Sequence, residues 1–178
     1  STLKLARRCR FCAAPLTHTF VDLGTSPLCQ KHVEPEDFNK AEAIYPLHAF
    51  VCGSCFLVQL EEFVTPEGIF ADNYAYFSSF SDSWLDHARR YVESVVPRFG
   101  LNQNSFVVEL ASNDGYLLKN FVARKIPCLG IEPAGNCAEA AMKIGVPTQV
   151  KFFGETTARE VIASHARADL IIGNNVLA

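Results

Sequence analysis

The sequence predicts an α/β protein in which a small cysteine-containing module is followed by a parallel β-sheet covered by helices. Two Cys-x-x-Cys pairs, Cys9–Cys12 and Cys52–Cys55, lie in a region where turn residues and aromatic residues interrupt every short apolar run. Beyond about residue 100, apolar runs of strand length alternate with segments of helical periodicity. Alternation of this kind is typical of a parallel sheet with helices on both faces.

The two cysteine pairs indicate a metal site. The chain contains seven cysteines, an odd number that a disulfide framework explains poorly in a protein without an export signal. Each pair can place two thiolates on one tight turn, and two such turns supply the four soft ligands that tetrahedral zinc prefers. The alternative is that these are buried or redox-active cysteines. We predict a closed, structural Zn²⁺ site whose ligands are Cys9, Cys12, Cys52 and Cys55.

Three segments are expected along the chain. Residues 1–75 are predicted to form the zinc-binding module, residues 76–104 a linking helical segment and residues 105–178 the sheet domain. Within the linking segment, the residues from Ser81 to Phe99 have the spacing of an amphipathic helix, with Ser81 or Asp82 as its N-cap.

The sheet domain is predicted to contain four strands with a helix after each of the first three. The strands are expected at Phe106–Leu110, Cys128–Ile131, Thr148–Phe152 and Asp169–Ile172. The helices are expected at residues 116–124, 136–144 and 156–165, and Gly145 ends the second of them. The chain would then stop just past the fourth strand.

Composition and charge limit the partners. The chain has 178 residues, of which 49% are hydrophobic and 20% charged, and its net charge is −3. Lysines and arginines are scattered, so no continuous basic surface for nucleic acid is indicated. The longest apolar stretches fall far short of the roughly 20 residues that cross a bilayer, and the N-terminus runs into Cys9 without an apolar signal segment. We expect a cytoplasmic protein with no nucleic-acid or membrane partner.

Acidic residues lie at the ends of the first two predicted strands of the sheet, Glu109 within the end of the first strand and Glu132 directly after the second. Glu132 ends the second strand, where a carboxylate can accept hydrogen bonds from both ribose hydroxyls of an adenosine-containing cofactor. The turn from Glu109 to Gly115 lacks the G-x-G-x-x-G pattern that lets a pyrophosphate approach the backbone. A cofactor without a pyrophosphate, such as S-adenosylmethionine, therefore fits better than NAD. The alternative is that Glu109 or Asp114 only caps the following helix.

Several motifs in order resemble the S-adenosylmethionine-dependent deoxysugar C-methyltransferases, which methylate nucleotide-linked keto-deoxysugars. In the sheet domain these motifs are Val107–Leu118, Gly130–Pro133, Phe152–Gly154 and Asn174–Ala178. In the N-terminal half, the pattern of that family's zinc module is followed by Cys9–Cys12, Asp22–Gly24, Pro27–Leu28, Cys52–Cys55, Val58–Leu60 and Tyr74–Ser79. The resemblance implies the first half of a Rossmann-like, class I methyltransferase sheet, truncated after strand four.

The resemblance also implies roles for individual residues. Glu109 and the turn after it would line the methionine and adenosine portions of the cofactor, Glu132 would hold the ribose and Phe153 would flank the adenine. Tyr76 would close over the site and, with Asn175, contact the sugar substrate. The implied cofactor residues are Glu109, Ala111, Ser112, Asn113, Asp114, Gly115, Glu132, Pro133, Phe153 and Asn174. The reaction would pass through an enolate next to the ketone of the sugar.

Simpler interpretations stay open for some of these residues. Tyr74, Tyr76 and Phe77 could pack only between the modules, and Asn175 could only cap a turn. If Phe152 and Phe153 alternate on a strand, only one of them can line a pocket.

The chain also departs from the family. Its members are much longer, with a histidine directly after the segment that matches Asn174–Ala178 and with further residues downstream that include the proposed base. We therefore expect no catalytic base in this chain and no turnover by it alone. Either the chain is a fragment of a longer enzyme or it has lost the reaction, and its expected partner is a missing C-terminal half or a second copy in a homo-oligomer. The competing hypothesis is a zinc-stabilised binding module with a vestigial cofactor pocket and no catalysis.

Overall fold

The computed structural model describes residues 7–29, 31–70 and 74–176. The chain divides into two compact units, one up to Ile69 and the other from Phe70 onward. Within the described ranges, none of the helices is long and apolar enough to cross a membrane. The segment expected to link two modules, residues 76–104, falls in the second unit, while the domain limits given by the sequence stay predictions.

The first unit is an antiparallel sheet with very little hydrophobic core. Its strands are β1 (His18–Pro27), β2 (Ile44–Val51) and β3 (Val58–Leu60), in the spatial order β1-β2-β3, and a single helical turn, α1 (Pro66–Ile69), follows. The buried apolar cluster of this unit consists of Cys9, Leu16, Phe50 and Cys52. A core this small is typical of modules that a metal ion holds folded.

The first α-helix of the second unit is long, and both of its ends are capped. The helix α2 (Asp82–Phe99) starts after Ser81, whose hydroxyl accepts a hydrogen bond from the backbone N–H of Trp84 at 3.3 Å. It ends at Gly100, which adopts the left-handed conformation (φ +64°) that glycine tolerates. Its apolar face buries Ala88, Val92 and Val95. The amphipathic helix predicted from Ser81 to Phe99 is thereby confirmed.

A four-stranded parallel sheet forms the rest of the second unit. Its strands are β4 (Val107–Leu110), β5 (Cys128–Ile131), β6 (Thr148–Gln149) and β7 (Leu170–Gly173), in the spatial order β6-β5-β4-β7. The helices between them are α3 (Lys119–Val122), α4 (Gly135–Lys143) and α5 (Glu155–Ser164). All three strand pairings are parallel, which confirms the predicted α/β fold class.

Side chains of the central strand alternate between two cores. Val107 packs in a large cluster with Val92 of α2, whereas Val108 packs in a smaller one with Val161 of α5. The alternation follows from the two-residue period of a strand, and it confirms that helices cover both faces.

Two elements are shorter than the sequence predicts. The third strand, expected to reach Phe152, ends at Gln149, so Phe152 and Phe153 lie in a loop. The helix expected at residues 116–124 is reduced to α3, because the residues before Lys119 continue the turn that follows β4. Gly115 lies within this turn with φ +78°, and its N–H bonds the carbonyl of Ser112 at 3.1 Å.

Candidate metal centre and cofactor pocket

The four cysteines predicted as zinc ligands converge in the first unit. All four Sγ atoms lie within 4.8 Å of one another, with the Cys9 and Cys55 sulfurs 3.6 Å apart and the Cys12 and Cys52 sulfurs 3.5 Å apart. A tetrahedral ion with Zn–S bonds of about 2.3 Å requires sulfurs about 3.8 Å apart. None of these cysteines forms a disulfide, so the four sulfurs fit a Zn²⁺ ion.

Both Cys-x-x-Cys pairs fold into the same turn. The residue after each second cysteine has a left-handed backbone, with φ +60° at Ala13 and +62° at Phe56. The N–H of Ala13 bonds the carbonyl of Cys9 at 2.9 Å, and that of Phe56 bonds the carbonyl of Cys52 at 3.0 Å. Strained left-handed residues persist where surrounding interactions require them, and here they close the two turns around the sulfurs.

Gln59 supports the metal site, and the sequence analysis gave it no role. This β3 side chain is buried; its Nε2 donates to Cys9 Sγ at 3.2 Å and its Oε1 accepts the backbone N–H of Arg10 at 3.0 Å. Hydrogen bonds from the Cys12 backbone and from Gln59 lower the pKa of Cys9, which favours the thiolate. The only signal in the sequence was the motif Val58–Leu60 of the resembling family's zinc module, which contains Gln59 but does not say what it contacts.

The second unit contains a cavity at the carboxyl ends of its strands. Its volume is about 480 Å³, within the range of small-molecule sites, and its place at the strand ends is the usual ligand position in α/β sheets. Predicted site residues that line it are Ala111, Asn113, Glu132, Pro133, Phe153, Asn174, Tyr76 and Asn175. Further lining residues include Phe70, Tyr74, Ser78, Trp84, Tyr116, Phe152 and Val176.

Glu132 presents a fixed carboxylate at the wall of this cavity. Its Oε1 accepts the backbone N–H of Ala134 and its Oε2 that of Asn113, each at 2.8 Å. A carboxylate oxygen can accept more than one hydrogen bond, so both oxygens keep capacity for a ligand. Burial raises the pKa of Glu132, and the two backbone hydrogen bonds oppose that shift.

Four residues expected to line the cofactor lie behind the cavity wall and do not line the cavity. They are Glu109, Ser112, Asp114 and Gly115. Ser112 is fully buried, and Asp114 accepts hydrogen bonds from Ser79. A Cβ at Gly115 would lie 3.0–3.2 Å from the side chains of Val146 and Ala141, so this residue packs inward. Left-handed conformations at Ala111 and Asn113 (φ +49° and +50°) shape the turn that carries these residues.

Glu109 is a buried carboxyl group without a regular partner. It is fully buried, and neither of its oxygens has a hydrogen bond of normal geometry from the described residues. Burial raises its pKa well above the usual value; the Tyr116 side chain opposes the shift, and the charges of Glu132 and Asp114 add to it. Burial of a carboxyl group without a regular partner favours its neutral, protonated form.

Aromatic side chains form one side of the cavity. Phe152 and Phe153 both line it, so the expectation that only one of them could do so is wrong, because the strand that would impose alternation ends at Gln149. Phe152 meets Phe70 edge to face, with ring centroids 6.4 Å apart. Trp84 stacks on Tyr116 with centroids 6.0 Å apart. The sequence analysis gave Trp84 no role at this site, although the residue lines the cavity.

The segment after β7 completes the cavity. The Nδ2 of Asn174 donates to the Tyr116 hydroxyl at 2.8 Å, and Asn175 has a left-handed backbone, with φ +54°. Burial raises the pKa of Tyr116, and the Glu109 charge adds to the shift. The last two residues of the motif Asn174–Ala178 lie outside the described residues.

Comparisons with known proteins agree with this picture. Residues 9–70 match a family described as "Putative zinc binding domain". The C-methyltransferase NovU of Streptomyces niveus is 32% identical over 170 residues, which cover 96% of this chain and 40% of that protein. The chain is therefore similar to an N-terminal portion of a C-methyltransferase, and it spans about two fifths of the length of this curated relative. The resemblance seen in the sequence is thereby confirmed.

Proposed function

We propose that this protein is part of an S-adenosylmethionine-dependent C-methyltransferase that acts on a nucleotide-linked keto-deoxysugar. Similarity to a C-methyltransferase supports methyl transfer to carbon. The observation that carries the cofactor assignment is Glu132, a buried carboxylate fixed by two backbone amides at the wall of a cavity of about 480 Å³. An acidic residue at the end of the second strand is the usual partner of a ribose diol in such folds.

The cavity offers a contact for each part of this cofactor. Glu132 would accept the two ribose hydroxyls, while Phe153 and Phe152 would pack against the adenine. Ala111, Asn113, Pro133 and Asn174 would line the remainder. When bound, S-adenosylmethionine supplies a methyl group attached to a cationic sulfonium.

The base for this reaction would come from outside this chain. In this family a base removes a proton next to the sugar ketone, and the resulting enolate carbon accepts the methyl group. Among the described residues that line the cavity there is no lysine or histidine, and the only carboxylate is Glu132. Tyr116 is a poor base because burial keeps its hydroxyl protonated. Tyr76 and Asn175 would contact the substrate, and this chain alone would not turn over.

The cysteine chemistry supports a structural Zn²⁺ ion in the first unit and a reducing cellular compartment. The four sulfurs of the cysteine cluster would complete the tetrahedral shell of such an ion, which would leave no coordination position for catalysis. None of the seven cysteines forms a disulfide, as is usual in the cytoplasm. A second candidate function is a zinc-stabilised binding module without catalysis. The described cavity lining favours it because that lining contains no basic side chain. The titration below distinguishes the two functions.

The fluorescence of Trp84 provides the experiment. It is the single tryptophan of the chain and lines the cavity, so titration with S-adenosylmethionine should change its emission in a saturable way. Glu132→Gln should weaken binding by about tenfold or more, because a hydrogen bond to a charged acceptor contributes about 1.5–3 kcal/mol. Glu139→Gln on the exposed face of α4 is the matched control, and circular dichroism checks folding. Absence of saturable binding by the parent would refute the cofactor assignment and favour the vestigial pocket.

A further inference from the structure

We propose that Asn113 is a positioning residue that holds the segment Tyr74–Ser79, here called the aromatic strap, against the cavity and links it to Glu132. The strap supplies Tyr74, Tyr76 and Ser78 to the cavity lining. The inference rests on the cofactor pocket proposed above, because the link between Glu132 and the strap bears on function only if Glu132 binds the cofactor. It assigns to Asn113 a role other than that of a cofactor contact.

The side-chain amide of Asn113 clamps the backbone of the strap at two points. Its Oδ1 accepts the backbone N–H of Ser78 at 2.8 Å, and its Nδ2 donates to the carbonyl of Tyr76 at 3.1 Å. Of the side chains of this size, only asparagine offers both a carbonyl acceptor and an amide donor. Asn113 is 8% exposed, so the clamp is shielded from water and its loss would leave buried polar groups unpaired.

Two neighbouring side chains hold the two ends of the strap. Asp114 Oδ2 accepts the backbone N–H of Ser79 at 3.1 Å and also accepts the Ser79 hydroxyl. At the other end, Nδ2 of Asn136 in α4 donates to the carbonyl of Tyr74 at 2.8 Å. The strap is therefore attached through side chains of two elements of the second unit, the turn after β4 and the start of α4.

The backbone of Asn113 forms the link to Glu132. Its N–H donates to Glu132 Oε2 at 2.8 Å, while its side chain bonds the strap. The left-handed backbone of Asn113, with φ +50°, allows both contacts, and asparagine tolerates this conformation better than most residues. A displacement of the Glu132 carboxylate can thus reach the strap through a single residue.

The test is hydrogen exchange of the ligand-free, zinc-loaded chain, followed at the amides of Ser78 and Ser79. In the parent protein these amides should exchange slowly. In Asn113→Ala the Ser78 amide should exchange about tenfold faster, the change expected for one lost net hydrogen bond, while the amides of β4 and β5 keep their parent rates. Asn113→Asp retains the Oδ1 acceptor and should keep Ser78 slower than Asn113→Ala does.

Two further variants separate the clamp from general destabilisation and from ligand contact. Asn136→Ala removes a strap contact from a residue that does not line the cavity, and it should speed exchange in the strap. Glu132→Gln should also speed exchange at Ser78 if Glu132 and the strap are linked. Asn120→Ala is the matched control, because its Nδ2 bonds only carbonyls of its own turn at Tyr116 and Leu117.

Parent-like exchange at Ser78 in Asn113→Ala would overturn the proposal. A uniform increase across the whole second unit would do the same, since it would indicate lost stability and not a lost clamp. Both readouts are taken without ligand, so they decide the role of Asn113 independently of the titration with S-adenosylmethionine, which decides the proposed function.

Discussion

Ser112 lies directly over Gly130, so close that a Cβ built on Gly130 would come within 2.3 Å of Ser112 Oγ and 2.9 Å of Ser112 Cβ. The turn after β4 therefore contacts the backbone of β5 beneath it. Ala111 and Asn113 flank Ser112 and line the cavity. The contact between Ser112 and Gly130 therefore sets the distance of these two residues from the sheet.

The first prediction concerns this contact. We expect Gly130→Ala to displace the turn, to destabilise the protein by about 1–3 kcal/mol as overpacking does, and to weaken binding of S-adenosylmethionine. Urea unfolding and the titration measure the two effects. Gly154→Ala is the matched control, because a Cβ there would meet nothing within 4 Å. A double variant with Ser112→Gly should recover part of the loss; Gly130→Ala with unchanged stability and binding would contradict the account.

The second prediction concerns the metal. Protein purified without chelators should contain about one equivalent of zinc, and Cys52→Ser should lose most of it, because structural sites require all four ligands. Since the first unit has so small a core, its β1–β2 amides should then exchange rapidly. Cys29→Ser is the control, since Cys29 is exposed and outside the cluster. Elemental analysis with well under one equivalent in the parent would exclude the zinc site.

The third prediction concerns Gln59. Gln59→Leu removes the donor to Cys9 Sγ and the acceptor for the Arg10 amide, so zinc should be released to a colorimetric chelator about 10–100-fold more readily, as for other residues that support metal ligands. Gln59→Glu keeps an acceptor for Arg10 but cannot donate to the thiolate, and it should resemble Gln59→Leu. Release at the parent rate in both variants would mean that Gln59 only fills space.

The fourth prediction concerns pH. Burial raises the pKa of Glu109 well above its ordinary value of 4.5, so the folded protein keeps a proton that the unfolded chain releases above that value. Stability should therefore fall as pH rises from 4.5 towards the folded pKa, by up to about 1.4 kcal/mol per pH unit. Glu109→Gln should remove this loss, and its advantage over the parent should grow with pH across that window.

Trp84 fluorescence during urea unfolding reports on the second unit and measures this effect. The exposed Glu139 provides the control, because Glu139→Gln should follow the pH dependence of the parent. Parallel curves for the parent and Glu109→Gln would show that Glu109 is not held protonated.

The fifth prediction concerns the aromatic side of the cavity. Phe153→Ala should weaken binding of S-adenosylmethionine by about 1–3 kcal/mol if the ring stacks on adenine, with little change in stability, because Phe153 is 43% exposed. Phe99→Ala at the exposed end of α2 is the control. Equal affinity in Phe153→Ala and the parent would place the adenine elsewhere in the cavity.

The sequence located the metal ligands well because each pair is a local feature. The two-residue spacing within Cys9–Cys12 and within Cys52–Cys55 fixes a tight turn whatever the rest of the chain does. It could not locate Gln59, since its contact with Cys9 spans 50 positions and depends on where β3 pairs.

The sheet was predictable for a similar reason. Continuous apolar runs and helical spacing indicate buried strands and covering helices wherever they occur, and parallel strands end at one edge. This was sufficient to place Glu132 at the cavity. The third strand was predicted too long because apolar character continues through Phe152 and Phe153, although strand pairing does not.

By itself the sequence determined the element order of the sheet domain, its parallel pairing, the cysteine cluster and the edge at which Glu132 lies, because these depend on local periodicity and spacing. Only the tertiary structure decided which side chains reach the cavity. Left-handed residues at Ala111 and Asn113 shape the turn in which Ser112 and Asp114 lie behind the wall. Hydrogen bonds across 35 to 37 positions attach the strap to the turn. Neither backbone handedness at non-glycine residues nor pairing over such distances leaves a regular pattern in the sequence.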